Sequence, residues 1–210
     1  MHEDETTTNA PVTDAHRDGR RRGITIYPAS GAVDNATSGF RGQTRVAPET
    51  DAQLRALRAE GYSAGLRSMM LCRQTDDEGG FSMLLVGGKP NYAVARHSHS
   101  SDCMYYVVSG SATMGNVTLR PGDSFFTPAG APYQWRAGPE GVEILEVRRH
   151  VDEIGIDLHD ISPAAFEHER EVVAANREQW VTMDVSPTFA LNDVAADEHG
   201  TGPAGARSNS

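Results

Sequence analysis

The sequence predicts an all-β protein, an antiparallel β-barrel or jelly roll that carries a short N-terminal helix and a C-terminal helix. Between positions 65 and 150, short runs of β-branched and aromatic residues alternate with turns rich in Gly and Pro, as in closed antiparallel folds. Helical patterns occur only on either side of this region. The eight predicted strands are Gly65–Arg73, Phe81–Val86, Tyr92–His99, Met104–Val108, Ala112–Leu119, Ser124–Thr127, Tyr133–Arg136 and Val142–Arg149.

The composition divides the chain into a barrel and flanking segments. Residues 1–22 have few apolar side chains, and the end of the chain is rich in Asp, Ala and Gly, so both are predicted to be disordered. Between the first tail and the barrel, Ile24–Tyr27 is compatible with a short strand. The predicted segments are a tail at 1–22, an arm and short helix at 23–64, the barrel at 65–150, a helical extension at 151–182 and a tail at 183–210.

The N-terminal helix is predicted over Pro48–Glu60. Leu54 and Leu57 form an apolar stripe at the i, i+3 spacing of one helix face. Thr50 or Asp51 can cap its first turn. This stripe predicts that the helix packs on the barrel through the two leucines.

The C-terminal helix is predicted to begin at Ser162 and Pro163 and to run to about Trp180. Serine caps helices well, and proline is tolerated at the first helical position because its missing N–H would have no helical partner there. Phe166 and Val173 are predicted to lie on the buried side, together with Trp180.

A pair of histidines precedes the fourth predicted strand. His97 and His99 are two residues apart, so on an extended strand their imidazoles point to the same side. A polar break follows, and the chain from Cys103 to Val108 is then typical of a returning strand. Two such histidines form half of a metal site, and two surface histidines are the alternative that the spacing leaves open.

The stretch around these histidines resembles the first sequence motif of the cupin superfamily, a group of small antiparallel β-barrels. That motif reads Gly, five residues, His-x-His, three or four residues, Glu, six residues, Gly. His97, His99 and Gly110 match it. Asn91 stands in the place of the first Gly, and Cys103 stands in the place of the Glu.

A second cupin motif lies downstream and reads Gly, five residues, Pro-x-Gly, two residues, His, three residues, Asn. Gly122, Pro128 and Gly130 match this motif in register. Tyr133 replaces the His, and Ala137 replaces the Asn. The resemblance therefore implies the cupin fold with an altered set of metal ligands.

Strand alternation assigns side chains to the interior of this barrel. If His97 and His99 face inward, Cys103 takes the ligand position on the next strand and Tyr105 shares its face. Tyr133 takes the remaining ligand position of the resemblance. The predicted cavity is lined by His97, His99, Cys103, Tyr105, Tyr133 and Trp135.

The resemblance implies a metal site with His97, His99 and Cys103 as ligands, in which a thiolate replaces the charge of the missing carboxylate, and Tyr133 is the alternative third ligand. The alternative for Cys103 is a small buried hydrophobic side chain. The aromatic candidates are Tyr133 and Tyr105 for catalysis, and Trp135, Tyr105 and Tyr133 for substrate binding.

Two functions follow from the resemblance. The first is a metal-dependent enzyme, an oxygenase, isomerase, lyase or cyclase, which acts on a small organic and partly aromatic or apolar substrate with Fe, Zn, Mn or Ni as the divalent ion. The second is a metal-free cupin that binds a small molecule, either as a sensor or as an acid–base catalyst. The retained His-x-His pair favours the first, and the missing Glu and third His favour the second.

Charge and composition restrict the partners. The net charge is −10, and residues 150–210 hold twelve of the acidic residues, so no basic surface that could follow a phosphate backbone is expected. Neither an apolar run of membrane-spanning length nor a signal peptide is evident, and two cysteines do not make a disulfide framework. The sequence thus predicts a cytoplasmic protein that binds a small molecule and neither nucleic acid nor membrane.

Assembly is predicted from the outward side of the strands. Val94, Tyr106 and Val108 are expected to point away from the cavity and to exceed what one short helix covers. The N-terminal arm has no core of its own. We therefore expect a homodimer in which the arms pack across the interface.

Overall fold

The computed structural model describes residues 24–35, 44–74, 80–149 and 155–183. The predicted tail at 1–22 and the chain from 184 onward lie outside the described residues. The strands are β1 Val33–Asp34, β2 Thr44–Arg45, β3 Leu66–Arg73, β4 Phe81–Gly88, β5 His97–His99, β6 Cys103–Met114, β7 Val117–Leu119, β8 Ser124–Thr127, β9 Arg136–Arg149 and β10 Ile156–Leu158, and the helices are α1 Pro48–Ala59 and α2 Pro163–Thr182.

The strands form two sheets, and the predicted fold class is confirmed. In the larger sheet the order is β1-β3-β4-β9-β6-β7, with β8 paired to β6, and every pairing is antiparallel. The smaller sheet has the order β2-β10-β5, in which the β2–β10 pairing is parallel. Among the described strands the order does not return on itself within either sheet, and residues of both sheets line one cavity, as in a jelly roll with two facing sheets.

Two long strands, β6 and β9, each cover residues that were predicted to form two separate strands. The turn-like residues Ser109 and Gly110 lie inside β6, where its register with β9 shifts. Likewise, the stretch from Gly138 to Gly141 lies inside β9. Gly110 and Gly141 have φ values of +69° and +80°, which glycine adopts without strain. At these places glycine marks bulges in a continuous ladder, so the predicted strand ends were wrong.

Three other predictions are corrected. Ile24–Tyr27 forms no strand, and its first side chain is exposed. Of the predicted strand Tyr92–His99, β5 keeps the last three residues, and Ala93 makes one isolated bridge to Arg136. The smaller sheet gains β10 from the segment predicted to be helical. The predicted hairpin at 115–116 between β6 and β7 is confirmed.

The helix α1 packs and begins at Pro48 as predicted, but no side chain caps it. Leu54 and Leu57 are almost completely buried. Ala47 is the residue that precedes the first turn, Pro48 is the first helical residue, and no side chain caps the helix. The predicted cap by a threonine or aspartate is therefore wrong, because the chain enters the helix three residues earlier.

The helix α2 begins as the sequence predicts. The Ser162 hydroxyl accepts a hydrogen bond of 3.2 Å from the Ala165 N–H, and Pro163 occupies the first turn. At the other end, Trp180 is fully buried, and its Nε1–H donates a 2.9 Å hydrogen bond to the Pro90 carbonyl. The helix thereby ties the end of the described chain to the loop that leads into β5. In the part of the chain that the structure describes, no helix is both long and apolar enough to cross a membrane.

Candidate active site

A cavity of about 300 Å³ lies between the two sheets. The larger sheet contributes side chains from β3, β4, β6 and β9, and the smaller sheet contributes side chains from β2, β5 and β10. Most of the lining is aliphatic or aromatic, which is typical of small-molecule sites. The polar residues that line it include His97, His99, Tyr105, Tyr133, Glu146 and Arg148.

The structure brings the predicted site residues together. His97, His99, Tyr105, Tyr133 and Trp135 all line this cavity. Cys103 is buried next to them, with its Sγ 3.5 Å from the Ser101 carbonyl oxygen. The roles assigned to these residues stay predictions, but their convergence on one place follows from the fold.

Alternation along β6 is confirmed, whereas alternation before β5 fails. Cys103, Tyr105 and Val107 are buried, and the residues between them are exposed. Val94 was predicted to point outward, but it lines the cavity together with Ala95. The reason is that the chain before β5 is not a regular strand, so the two-residue period does not apply there.

Two charged residues of the site, Glu146 and Arg148, were missed by the sequence analysis. Both are buried on β9, where Glu146 lies opposite Tyr105 and Arg148 lies opposite Cys103. The sequence contained a pattern that could have predicted this. Ile144 is an apolar inward-facing residue, and Glu146 and Arg148 follow it at the two-residue period of side chains on the same face of a strand. An acid and a base two residues apart on the inward face of a strand indicate a buried pair.

The polar groups form one hydrogen-bonded chain across the cavity. Arg148 Nε donates to Glu146 Oε1, and the Tyr105 hydroxyl donates to the same oxygen over 3.0 Å. The hydroxyls of Tyr105 and Tyr133 are 2.5 Å apart. Tyr133 Oη is in turn 3.1 Å from His99 Nε2. The chain thus runs from a guanidinium through a carboxylate and two phenols to an imidazole.

Counting hydrogens along this chain assigns the tautomer of His99. Tyr105 uses its only hydrogen toward Glu146, so Tyr133 must donate to Tyr105, and its oxygen then accepts from His99 Nε2–H. The lone pair is left on His99 Nδ1, a buried atom that has no hydrogen-bond partner in the described structure. An acceptor of this kind is suited to a ligand that the chain itself does not supply.

Burial and the ion pair determine the charges. Burial lowers the pKa of His99 to about 3, and the nearby Arg148 adds to this effect. The pKa of His97 is also lowered, mainly by burial. Burial alone would raise the pKa of Glu146, but attraction to Arg148 and the hydrogen bonds hold it below its ordinary value. Near neutral pH the site therefore contains two neutral imidazoles, one carboxylate and one guanidinium.

A possible metal centre differs in one ligand from the predicted one. His99, Cys103 and Glu146 offer ligand atoms that all lie within 4.8 Å of one another, and all three residues are buried. His97 is not in this group, and its Nδ1 is 2.7 Å from the Ala95 carbonyl oxygen. A set of one nitrogen, one sulfur and one oxygen donor suits divalent zinc or iron, so the residues fit such an ion.

Both phenols and the thiol are neutral in this environment. Burial and, after it, the charge of Glu146 raise the pKa of Cys103 to about 11. The pKa values of Tyr105 and Tyr133 are raised, first by burial and then by Glu146. Cys103 is therefore a thiol unless a cation displaces its proton, and neither phenol ionises without such help.

Comparisons with known proteins were made on the sequence and on the structure. No family model matches the sequence, and no curated protein matches it significantly. An RmlC-like cupin from Shewanella frigidimarina is 22% identical over 41% of this chain and 77% of that chain, with a TM-score of 0.36. KdgF from a Halomonas species is 20% identical over 42% of this chain and 82% of that chain, with a TM-score of 0.36. The polyketide cyclase RemF from Streptomyces resistomycificus is 20% identical over 60% of this chain and 82% of that chain, with a TM-score of 0.40.

At these identities no activity, substrate or metal is transferred from those proteins to this chain. The structure itself joins the two motifs of the sequence at the site. His97 and Tyr133 form an antiparallel bridge, and the Gly130 N–H donates to the His99 carbonyl over 2.8 Å. The end of the second motif therefore lies beside the His-x-His pair of the first. This arrangement is the one that the resemblance of the sequence to the two cupin motifs predicts.

Proposed function

We propose that this protein is a metal-dependent enzyme that converts a small organic substrate in the cavity between the two sheets. The observation that carries the proposal is the donor group of His99, Cys103 and Glu146, whose ligand atoms lie within 4.8 Å of one another at the cavity. Three protein ligands leave coordination positions open, which is the arrangement of catalytic rather than structural sites. A bound divalent ion would supply Lewis acidity toward an oxygen of the substrate or of water.

The surrounding residues of the chain would hold this centre in place. Arg148 and Tyr105 both bind Glu146 Oε1 and so fix the position of the carboxylate. Such outer contacts commonly orient the ligands of a metal. Tyr133 lies between His99 and Tyr105 and is the hydroxyl best placed to pass a proton between the imidazole and the carboxylate. Trp135 supplies an aromatic wall for the substrate.

The test is the metal content of the protein, purified without added metal and then loaded with Zn²⁺, Fe²⁺, Mn²⁺ or Ni²⁺ in turn. We expect wild-type protein to bind one ion per chain. His99→Ala, Cys103→Ala and Glu146→Gln should each lower the affinity at least tenfold, because each removes one of three ligands. His97→Ala tests whether the second histidine of the motif contributes as the sequence predicts.

The matched control is Cys72→Ala, which removes the other free thiol of the described chain, in β3 and away from the donor group. It should bind metal like wild type. Far-ultraviolet circular dichroism establishes that each variant is folded. If Cys103→Ala and Glu146→Gln bind metal as tightly as Cys72→Ala, the proposed centre is wrong.

A second candidate is a metal-free acid–base catalyst or sensor, and the hydrogen-bonded chain from Glu146 to His99 favours it. The carboxylate of Glu146 is already paired with the guanidinium of Arg148, so it does not require a metal ion to balance its charge. Tyr133 also occupies the ligand position that the cupin motif gives to histidine. The metal titration also discriminates this candidate. Wild-type protein that binds none of the four ions, yet retains a ligand in the cavity after EDTA treatment, would support it.

The cytoplasm is the compartment that we propose for this protein. Both described cysteines, Cys72 and Cys103, are free thiols, which is the state that a reducing compartment maintains.

A further inference from the structure

The unused hydrogen-bond donors of Arg148 point to the chemistry of the substrate. Arg148 makes its described hydrogen bond through Nε, and this bond goes to Glu146. Its terminal nitrogens have no partner among the described residues. They are also not among the fully buried polar atoms that lack a partner, so they are not fully buried, and Arg148 is one of the residues that line the cavity. A guanidinium with its forked end open to a cavity presents parallel N–H donors to whatever enters.

The charge of the cavity lining favours an anion. Glu146 is the one carboxylate among the described lining residues, and Arg148 and Arg58 are the cations. Arg58 lies on α1 and is exposed, and its side chain has no ionic partner in the described structure. With both histidines neutral, the lining carries a net charge of +1. A bound divalent ion would increase this positive charge.

The rest of the lining favours an apolar body of limited size. Leu84, Val86 and Ile144 face the cavity from the larger sheet, and Trp135 contributes its indole ring. A volume of about 300 Å³ is at the lower end for small-molecule sites. One guanidinium matches the two oxygens of a carboxylate, whereas phosphate sites in proteins commonly combine several donors or a helix N-terminus.

We propose that the substrate is a small carboxylic acid with an apolar or aromatic body, whose carboxylate is bound by the terminal nitrogens of Arg148. This inference rests on the proposed function, since it names the substrate class of the same cavity. Glu146 would hold Arg148 in position through Nε, and the carboxylate of the substrate would occupy the open end of the guanidinium. The aromatic side of the cavity would bind the body of the acid.

The experiment is isothermal titration of benzoate and of benzamide, which have the same shape and differ in charge. Each is titrated into EDTA-treated and into metal-loaded protein. We expect metal-free wild type to bind benzoate about tenfold to a hundredfold more tightly than benzamide, which is the range of charge-assisted hydrogen bonds. Inorganic phosphate should bind more weakly than benzoate.

The variants separate the role of Arg148 from a general loss of structure. Arg148→Lys keeps the charge but removes the fork, and it should lose most of the preference. The double variant R148M/E146Q removes both charges together, so that no buried carboxylate is left unpaired, and it should bind both probes equally. The control Arg120→Met removes an exposed arginine outside the cavity and should keep the wild-type preference.

Three results would overturn the inference. The first is equal binding of benzoate and benzamide by metal-free wild type that is correctly folded. The second is an unchanged preference in R148M/E146Q. The third is a preference that appears only in metal-loaded protein, because the ion and not Arg148 would then bind the carboxylate. Failure of the proposed metal centre would instead appear as absent metal binding, with the preference of metal-free protein intact.

Discussion

Tyr133 joins the two halves of the polar chain in the cavity. Its hydroxyl is 3.1 Å from His99 Nε2 and 2.5 Å from the Tyr105 hydroxyl. It also occupies the position at which the second cupin motif has histidine. A phenol at this place satisfies two buried polar groups at once, so its contribution to the free energy of unfolding should exceed that of an ordinary tyrosine hydroxyl.

Tyr133→Phe should lower the free energy of unfolding by about 1–3 kcal/mol, because it removes the hydrogen-bond acceptor of the buried His99 N–H and leaves, of the described residues, only Glu146 Oε1, at 3.5 Å, near that group. Tyr27→Phe is the control, since Tyr27 is exposed and does not line the cavity, and it should change stability by less than about 0.5 kcal/mol. Urea denaturation at pH 7 measures both. Equal stability of the two variants would show that the hydroxyl of Tyr133 is not part of a stabilising chain.

At the scale of the element, the bulges of β6 and β9 determine which residues meet. Gly110 and Gly141 lie against each other in this pair of strands, so that a Cβ on Gly110 would be 2.1 Å from the Gly141 carbonyl oxygen. Backbone atoms of a central ladder cannot move away cheaply. The glycine at position 110, which matches the first cupin motif, is thus required by close packing as well as by its positive φ.

Gly110→Ala should lower the free energy of unfolding by roughly 2–4 kcal/mol, the sum of a steric clash and an unfavourable φ. Gly115→Ala is the control, because Gly115 also has a positive φ, of +59°, but has no atom within 4 Å of the added Cβ. It should cost only about 1 kcal/mol. If the two substitutions have the same effect, close packing at the bulge contributes nothing.

The sequence predicted the elements better than their boundaries. Strand runs and the caps of α2 depend on local chemistry, so they were identified from residues such as Ser162 and Pro163. The interior glycines of β6 and β9 were interpreted as turns because a bulge and a turn both use glycine with positive φ. The bridge between His97 and Tyr133 and the pairing of β10 with β5 depend on long-range contacts, which no local pattern specifies.

The site was predicted in part for the same reason. The histidines and aromatic residues carry recognisable motifs, and the structure places them around one cavity. Glu146 and Arg148 lie outside both motifs and reach the cavity only because β9 pairs with β6. Glu and Arg are residue types that usually lie at the surface, so residue type alone predicted that both would be exposed. Only the two-residue alternation from Ile144 indicated an inward position. The buried ion pair of this protein can therefore be predicted from the two-residue period of its strand but not from residue type.

At the scale of the whole molecule, the outer face of the larger sheet is apolar and exposed. Met104 and Phe126 are partners in the β6–β8 ladder and are 49% and 54% exposed. Tyr106 and Val108 continue the same face along β6. The described strands of the arm, β1 and β2, pair with β3 and β10 of the same chain.

We expect two copies of the chain to pair through this outer face, as the predicted homodimer requires, because adjacent apolar residues of this exposure mark association surfaces. Light scattering at micromolar concentration should give twice the chain mass for wild type. Phe126→Lys should give a monomer, and the control Val181→Lys, on an exposed part of α2, should remain dimeric. A wild-type monomer under these conditions would contradict the expectation.

Buried tyrosines, Tyr62 and Tyr92 among them, should make the stability depend on pH at high pH. Burial raises the pKa of Tyr62 to about 12 and that of Tyr92 well above its ordinary value. Their rings are 4.8 Å apart, and the Tyr62 hydroxyl donates to the Ala93 carbonyl over 2.5 Å. In the unfolded chain both phenols ionise near pH 10, whereas in the folded chain they remain protonated.

Stability should therefore fall as the pH rises from about 10 toward 12, because the unfolded state releases protons that the folded state retains, and the Cys103 thiol should add to the fall between about pH 9 and 11. The loss from one such tyrosine approaches about 1.4 kcal/mol per pH unit in this window. Guanidinium denaturation between pH 8 and 11.5 measures it, and Tyr62→Phe should show a shallower fall than wild type. A parallel pH profile for the variant would contradict the assignment to Tyr62.

The hydrogen bond from Trp180 to the Pro90 carbonyl has a practical consequence for handling the protein. Pro90 begins the loop that leads to His97, so the last buried side chain of α2 helps to hold this loop in place beside the cavity. A protease that cuts α2 before Trp180 would remove this contact and make the loop more mobile, although the residues of the site do not belong to α2. An affinity tag joined after residue 183 keeps the contact of Trp180 with Pro90, whereas a truncation one turn earlier removes Trp180 and the contact with it.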